Sequence, residues 1–155
     1  MNIDKMKLCV KTFGELDIHE LYEILRLRQE VFILEQDAPC REIDGRDQAA
    51  LHVFLRDEEG IKAYLRALPP GGRFLEASLG RILTVERRAG LGTAITRAGI
   101  RAARERFGVE SIRIEAQSYV KELYEKLGFR QISEEFLEHG IPHVEMIYDG
   151  DISKA

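Results

Sequence analysis

Apolar and polar positions alternate along the 155-residue chain with periods that change from one segment to the next. Weak alternation over residues 7–12 predicts an edge strand. Asp17 and Glu20 then form the D-x-x-E pattern that caps the start of a helix, and apolar residues follow at helical spacing to about residue 36. The positions that share one face of this predicted helix are Leu21, Leu25, Arg28, Phe32 and Glu35.

A hairpin is predicted in the middle of the chain. Residues 52–56 and 61–68 have strand patterns, and the turn-forming residues 57–60 separate them. The second strand alternates cleanly, which predicts one apolar side and one polar side. The apolar side carries Ile61, Ala63, Leu65 and Ala67, and the polar side carries Lys62, Tyr64 and Arg66.

A Pro-Pro-Gly-Gly sequence at residues 69–72 predicts a loop that interrupts the strands. Beyond it, residues 77–85 have the pattern of another strand. An alanine-rich helix is predicted to follow, starting near Thr93 and ending at Gly108, a residue type that favours the end of a helix.

The last third of the chain predicts a strand, a short helix and two closing strands. The strand covers residues 111–117, and Ser118 is suited to cap the short helix, which ends at Gly128. Residues 129–134 and 143–148 have strand patterns. The complete order of strands and helices predicts an α/β fold with a mixed sheet.

Composition limits the class of protein. We expect one domain over residues 1–155, because the chain is too short for two full cores and its 45% hydrophobic and 32% charged residues are an ordinary globular balance. A net charge of −4 argues against nucleic acid as a partner, and no apolar run is long enough to cross a membrane. The two cysteines, Cys9 and Cys40, indicate no disulfide framework and therefore a reducing, cytoplasmic environment.

Two glycines precede the alanine-rich helix, in the sequence Arg87-Arg88-Ala89-Gly90-Leu91-Gly92. Glycines here let several backbone N–H groups face one spot, where the helix dipole adds positive potential. This favours a phosphate or pyrophosphate ligand, although a plain turn explains the glycines equally well when they are considered alone. The sequence after Gly90 excludes a P-loop, and Ile95 replaces the third glycine of a dinucleotide fingerprint.

A second motif follows one helix and one strand later, in the sequence Leu123-Tyr124-Glu125-Lys126-Leu127-Gly128-Phe129. Together with the R-x-x-G-x-G pattern that starts at Arg87, it resembles the GCN5-related N-acetyltransferase (GNAT) superfamily. The resemblance covers residues 7–149 by the order of their elements. Residues 28–52, the Ala116-Gln117 pair and the HGIPHVEM sequence at residues 139–146 are similar to the ElaA-like branch of that superfamily.

The resemblance implies the GNAT fold, a mixed and mostly antiparallel central sheet flanked by helices, with a V-shaped split between two parallel strands. In that fold acetyl-CoA occupies the split, which here would lie between the strands that end at Val85 and Gln117. The pantetheine arm would pair with the backbone of Leu83, Thr84 and Val85, and an amide near Leu83 would polarise the thioester carbonyl. The pyrophosphate would be held by Arg87, Arg88, Ala89, Gly90, Leu91, Gly92 and Thr93, with Gln117 as a further cofactor contact.

The same resemblance implies a reaction in which acetyl-CoA, as cosubstrate, gives its acetyl group to a primary amine by direct attack in a ternary complex, without a metal. Tyr124 would donate a proton to the departing thiolate. Glu115 and His143 are candidate bases for the acceptor ammonium, although a solvated strand face, a cap or an ion pair is the commoner role for such residues. No covalent intermediate is required, so neither Cys9 nor Cys40 is expected to act as a nucleophile.

The resemblance leaves two alternatives open. The same fold could form a non-catalytic module that binds or senses CoA, and the acceptor could be a small molecule or a peptide. A solvated loop is the simpler explanation of an acidic segment that would also suit a cationic acceptor, namely Glu35, Asp37, Glu42, Asp44 and Asp47. A homodimer is compatible with the superfamily. A metal site is not expected, because Gly140 and Pro142 break the helical spacing of His139 and His143.

Overall fold

The computed structural model of the chain describes residues 3–35, 41–86 and 90–149. The α-helices within these ranges are α1 (Ile18–Arg28), α2 (Leu91–Phe107) and α3 (Lys121–Lys126). The described strands are β1 (Lys7–Thr12), β2 (Leu51–Asp57), β3 (Gly60–Leu68), β4 (Ala77–Thr84), β5 (Ile112–Gln117), β6 (Arg130–Gln131), β7 (Phe136–Glu138) and β8 (Ile141–Tyr148).

One sheet contains these strands in the order β1-β2-β3-β4-β5-β8-β6, with β7 also paired to β8. Neighbouring strands are antiparallel, except for the central pair of β4 and β5, which is parallel. The helix α2 connects these two strands, as a parallel pair requires. The predicted α/β fold with a mixed, mostly antiparallel sheet is therefore confirmed, and so is the edge strand β1.

Both faces of the sheet are covered by apolar residues. On one face α2 packs through Ile95 and Ala103 against strand residues such as Leu65. On the other face α1 packs through Ile24 and Leu27 against Phe54. Within the described ranges, no helix has the length and apolar character needed to cross a membrane.

The first helix is shorter than its periodicity predicts. α1 begins at the capping box of Asp17 and Glu20, as expected, but it ends at Arg28. The chain continues as a π-helix over Gln29–Glu35, and residue 36 lies outside the described ranges. Seven residues are too few for an apolar pattern to distinguish the α-helical period from the longer π-helical one, so the prediction of one continuous α-helix is wrong.

The end of the sheet also differs from the prediction. The closing strand over residues 129–134 is reduced to β6, and β8 begins two residues earlier than expected. A short strand, β7, was not predicted. It joins β8 through His139 and Gly140, whose φ angles of 50° and 78° are those of a tight hairpin turn.

The predicted cap of the short helix is also wrong. Ser118 begins a 3₁₀ turn over Ser118–Val120, and its hydroxyl donates a hydrogen bond to Glu135 Oε2 at 2.8 Å. α3 starts afterwards, at Lys121. The hydroxyl is therefore bonded to a distant residue of the chain instead of to the free amides of the helix start.

Candidate active site

The parallel strands β4 and β5 separate soon after they begin. Their described ladder consists of two pairs, Ala77 with Ile112 and Ser78 with Arg113. Six further residues of β4 and four of β5 extend beyond this ladder without a partner in the other strand. The result is a V-shaped split in the middle of the sheet, as the resemblance implied.

A β-bulge lies in β4 where the split opens. The register between β3 and β4 shifts by one residue between Tyr64 and Arg66, opposite Arg81 and Ile82. Arg81 has a φ of 52°, in the left-handed region that side chains other than glycine rarely occupy. Bulges bend a strand and increase its twist, so this one turns β4 away from β5.

The backbone at the end of β4 has one edge towards the split. The N–H of Val85 donates to Lys62 O of β3 at 2.9 Å. Successive residues of a strand direct their N–H groups to opposite edges, so Leu83 faces β3 and the Thr84 amide faces the split. Among the three residues predicted to contact pantetheine, Thr84 therefore has the exposed edge, and the side chain of Leu83 is buried beneath α1.

The start of α2 supplies the amide groups that the glycine motif predicted. Gly90 is the N-cap residue with φ 74°, and Ala94 N–H donates the first helical hydrogen bond to Gly90 O at 3.1 Å. The N–H groups of Leu91, Gly92 and Thr93 precede this bond and have no partner within the helix. The predicted contacts Arg87, Arg88 and Ala89 lie outside the described residues.

Tyr124 of α3 lies on the same side of the sheet as α2. Its side chain is 8% exposed, and its ring packs edge-on against Phe129 at 6.0 Å between centroids. Burial, with a smaller contribution from Tyr119, raises the pKa of Tyr124 to about 12. The phenol is therefore protonated at neutral pH and able to donate a hydrogen bond.

The two candidate bases share the opposite side of the sheet. Glu115 is paired in register with Glu145, and Gln117 with His143, so Glu115 and His143 are diagonal neighbours on β5 and β8. Glu115 accepts a hydrogen bond from Arg73 Nη2 at 2.8 Å. His143 Nδ1 lies 2.7 Å from Ile141 O, which can only accept. Nδ1 must therefore carry the proton, and in the neutral ring Nε2 is an acceptor.

A buried group of charges lies beneath α1, and we call it the arginine–carboxylate cluster. It contains Arg28, Glu42, Asp44, Asp47, Arg66 and Arg81. Arg28 donates to Glu42 Oε2 at 2.7 Å and to Asp47 Oδ1 at 2.6 Å. Arg66 binds both carboxylate oxygens of Asp44 at 2.8 Å, and this fork geometry makes the pair strong.

The cluster covers part of the polar side of β3 and corrects one expectation. On that side Tyr64 is 0% exposed and Arg66 is 2% exposed. In the acidic segment, Glu42, Asp44 and Asp47 bind arginines of this chain. These three residues therefore form neither a solvated loop nor a free surface for a cationic acceptor. Asp37 lies outside the described residues.

The pKa values of two cluster carboxyls are lowered. Burial alone would raise the pKa of Asp44, but the hydrogen bonds and charge of Arg66 hold it well below its usual range. Asp47 is affected in the same way, and there Arg28 makes the larger contribution. Both groups are therefore charged in the folded protein at neutral pH, and the cluster is an internal set of ion pairs.

His52 of β2 adjoins the cluster and is fully buried. Its Nε2 lies 2.9 Å from Asp47 O, so Nε2 carries the proton, and Nδ1 accepts from the Tyr64 hydroxyl at 2.8 Å. Burial lowers the pKa of His52. Asp47 acts in the opposite direction through its carbonyl and its charge, and the charges of Arg28 and Arg66 lower the pKa further. The ring is therefore neutral in the folded protein.

Replacing His52 by glutamine is expected to flatten the pH dependence of stability between about pH 7 and pH 5. The unfolded protein binds a proton at His52 with a pKa near 6.5 while the folded protein resists it, so the free energy of unfolding falls as pH decreases. The ordinary pKa values of aspartate and glutamate, about 3.9 and about 4.3, lie below this pH range. Urea unfolding at several pH values measures this slope. His19→Gln, at an exposed position, is the control, and an unchanged slope in the His52 variant would contradict the assignment.

The resemblance implied the split and the glycine motif predicted the helix start, but the sequence did not predict the cluster. One signal was present: Arg28 occupies an otherwise apolar position in the helical pattern, and a buried arginine needs carboxylate partners. Of the cysteines, Cys9 is buried in the core beneath α1, and Cys40 lies outside the described residues. In the part of the chain that the structure describes, no three His, Cys, Asp or Glu side chains are grouped as metal ligands would be.

Comparison with known proteins identifies the family. The acetyltransferase (GNAT) domain model matches residues 15–149. A UPF0039 protein of Mycobacterium tuberculosis is 38% identical over 141 residues, which cover 88% of each chain. The crystal structure of an acyl-CoA N-acyltransferase from Pseudomonas aeruginosa superposes with a TM-score of 0.86 at 31% identity, covering 92% of this chain and 99% of that one. The chain therefore belongs to the GNAT family of acyltransferases.

The chain is also similar to a relative that its motifs indicated. Escherichia coli ElaA is 28% identical over 137 residues, which cover 86% of this chain and 90% of ElaA. The crystal structure of ElaA superposes with a TM-score of 0.86 at 24% identity and covers 92% of this chain and 99% of ElaA, so the two proteins have the same fold. The chain is thus ElaA-like in sequence and in fold.

Proposed function

We propose that this protein transfers an acetyl group from acetyl-CoA to a primary amine, by direct attack of the amine in a ternary complex. The observation that carries the proposal is the short ladder between β4 and β5, beside which α2 begins with amides that have no partner within the helix. A thioester in the split would have the Thr84 amide within reach of its carbonyl. Such an amide stabilises the negative charge that develops on the oxygen during attack.

The helix start is the proposed pyrophosphate site. The amides of Leu91, Gly92 and Thr93 would donate to the phosphates, with Arg87, Arg88, Ala89 and Gly90 completing the loop. Gly92 also lies close to α3, since a β-carbon there would be 3.3 Å from Leu123 Cδ1. This close approach brings the helix that carries Tyr124 next to the proposed phosphate site. Gln117, at the end of β5, is a further proposed contact of the cofactor.

Tyr124 is the proposed donor to the leaving thiolate. Its pKa of about 12 makes it a weaker acid than a thiol, whose ordinary pKa is near 8.5. Full proton transfer to the thiolate is therefore uphill. The favoured role is a hydrogen bond that stabilises the departing sulfur as negative charge develops on it.

His143 is the better supported of the two candidate bases. Its Nε2 is an acceptor in the neutral ring, because Nδ1 is fixed by Ile141 O. Oε2 of Glu115 is already bound to Arg73 Nη2, at 2.8 Å. The ring of His143 also stacks on Phe136 at 6.0 Å, which fixes its orientation. We therefore propose His143 as the base and Glu115 as a wall of the acceptor side.

Acetyl-CoA assayed with a panel of primary amines tests the proposal. Polyamines, aminoglycosides and lysine peptides would each be incubated with the protein, and free thiol would be measured over time. We expect at least one amine to accelerate thiol release in proportion to protein concentration. If calorimetry detects acetyl-CoA binding but no amine accelerates thiol release, the non-catalytic CoA-binding module is the correct account instead.

Replacing Gly90 by alanine is expected to weaken CoA binding about tenfold or more. Alanine disfavours the φ of 74°, and the first-turn amides would turn away from the phosphates, which costs at least one charge-assisted hydrogen bond. Calorimetric titration with CoA measures the affinity. Gly108→Ala is a matched control, because Gly108 has a φ of 65° at the other end of the same helix. Equal losses of affinity in both variants would contradict the phosphate site.

A further inference from the structure

Glu42 binds the bulge of β4 to the end of α1. Its Oε2 accepts from Arg81 Nε and from Arg28 Nε, each at 2.7 Å. Its carbonyl oxygen accepts from the same two side chains, at 3.0 Å from Arg28 Nη2 and 3.1 Å from Arg81 Nη2. Arg28 is fully buried, so Glu42 is attached to a part of the molecule that cannot move independently.

Arg81 is held in a backbone conformation that its own side chain disfavours. A φ of 52° costs free energy for any residue with a β-carbon and is free of this cost for glycine. Arg81 nevertheless occupies it, with its guanidinium bound to Glu42 and 3.5 Å from Asp44 Oδ2. The ion pairs oppose the relaxation of the bulge to an ordinary strand.

The bulge determines where the end of β4 lies. Leu83 and Thr84 follow Arg81 by two and three positions, and the ladder to β5 ends at Ser78, before the bulge. Relaxation at Arg81 would shift the register that Leu83 and Thr84 keep with β3. The Thr84 amide would then no longer face the split, because a one-residue shift reverses the direction of each amide.

We infer that the contact between Glu42 and Arg81, which we call the Glu42–Arg81 bridge, positions the Thr84 amide for catalysis by holding the bulge of β4 in its left-handed conformation. Neither residue contacts the reacting atoms in this account; both are positioning residues. The inference rests on the proposed acyl transfer. It explains why a charged residue occupies a backbone position that suits glycine.

Two substitutions at the same position separate this role from others. Arg81→Ala removes the bridge, and alanine still has a β-carbon that disfavours a positive φ. Arg81→Gly also removes the bridge, but glycine adopts a positive φ without that cost. We expect Arg81→Ala to lower kcat for thiol release from acetyl-CoA ~10- to 100-fold, as misplacement by about 1 Å does, with a much smaller change in KM. We expect Arg81→Gly to keep kcat within about threefold of the wild type.

Glu42→Gln tests the other end of the bridge. The single variant Glu42→Gln should have a kcat about tenfold lower than the wild type. The double variant with Arg81→Gly should have the same kcat as Arg81→Gly alone. Glu59→Gln is the control, because Glu59 also pairs with a cation but at an exposed turn, with Lys62 Nζ at 3.3 Å. A purely structural role would give additive losses of stability without such recovery of kcat.

The inference is overturned if the alanine and glycine variants at residue 81 have the same kcat, whether both are active or both are impaired. Amide hydrogen exchange at Leu83 and Thr84 provides a readout that needs no turnover. In Arg81→Ala, exchange should accelerate at Leu83, whose amide would turn from β3 towards the split, and slow at Thr84, whose amide would turn towards β3. Neither change is expected in Arg81→Gly. If the wild type releases no thiol while this exchange difference is present, the proposed function fails and the Glu42–Arg81 bridge still holds the bulge. Equal exchange in the two variants rejects the bridge.

Discussion

Replacing Tyr124 by phenylalanine is expected to lower the rate of thiol release from acetyl-CoA about 100-fold, equivalent to about 3 kcal/mol of barrier. The substitution removes the hydroxyl and keeps the ring that packs against Phe129. The hydroxyl makes no hydrogen bond with any described residue, so little stability should be lost. CoA affinity should remain nearly constant, because stabilisation of the thiolate is needed only during the reaction. Single-turnover measurements with the best acceptor amine provide the rate.

Tyr119→Phe is the matched control for this experiment. Tyr119 lies five residues earlier, is 72% exposed, and loses the same atom. The control should keep the wild-type rate. Wild-type turnover in the Tyr124 variant would show that water protonates the thiolate or that product release limits the rate. A marked loss of stability in that variant would show instead that Tyr124 is mainly a core residue.

Replacing Arg28 by methionine is expected to reduce the free energy of unfolding by about 3 kcal/mol or more. Arg28 is 0% exposed and binds both Glu42 and Asp47. Its removal leaves these two buried carboxylates with fewer positive charges to balance them. Methionine fills much of the same volume, which limits the contribution from lost packing. Urea unfolding at pH 7 measures the effect.

Arg26→Met on the same helix is the matched control for Arg28. Arg26 pairs with Glu30 at 2.8 Å, but both side chains are about half exposed, and such surface pairs contribute less than about 1 kcal/mol. Similar losses in the two variants would contradict a buried cluster. Arg28→Lys keeps the charge but lacks the forked geometry of the guanidinium. Its loss in free energy of unfolding should lie between the losses of the control and of the methionine variant. The lysine variant therefore provides a measurable value even if methionine prevents folding.

The elements that position the split could be predicted because their signals are local. The capping box at Asp17, the glycine at residue 90 and the alternation in β5 each act within a few residues, and the structure has them where the sequence indicated. The hairpin turn at His139 and Gly140 was missed, because a histidine with positive φ is uncommon and only the following glycine favours the turn.

The cluster could not be predicted because its partners are brought together by the fold. Arg28 and Asp47 are 19 residues apart, and Arg81 and Glu42 are 39 apart. Alternation in β3 correctly gives two sides, but it cannot show that a loop covers the polar side. The general rule that charged residues are exposed to solvent therefore fails at Arg66, which is buried.

A crystal structure with CoA bound tests the central claim most directly. We expect pantetheine between β4 and β5, with its backbone partner at Thr84 and its pyrophosphate on the amides of Leu91, Gly92 and Thr93. The sulfur should lie within about 3.5 Å of the Tyr124 hydroxyl, the range of a hydrogen bond to sulfur. CoA bound away from the split, or in the split with its sulfur remote from Tyr124, would contradict the account.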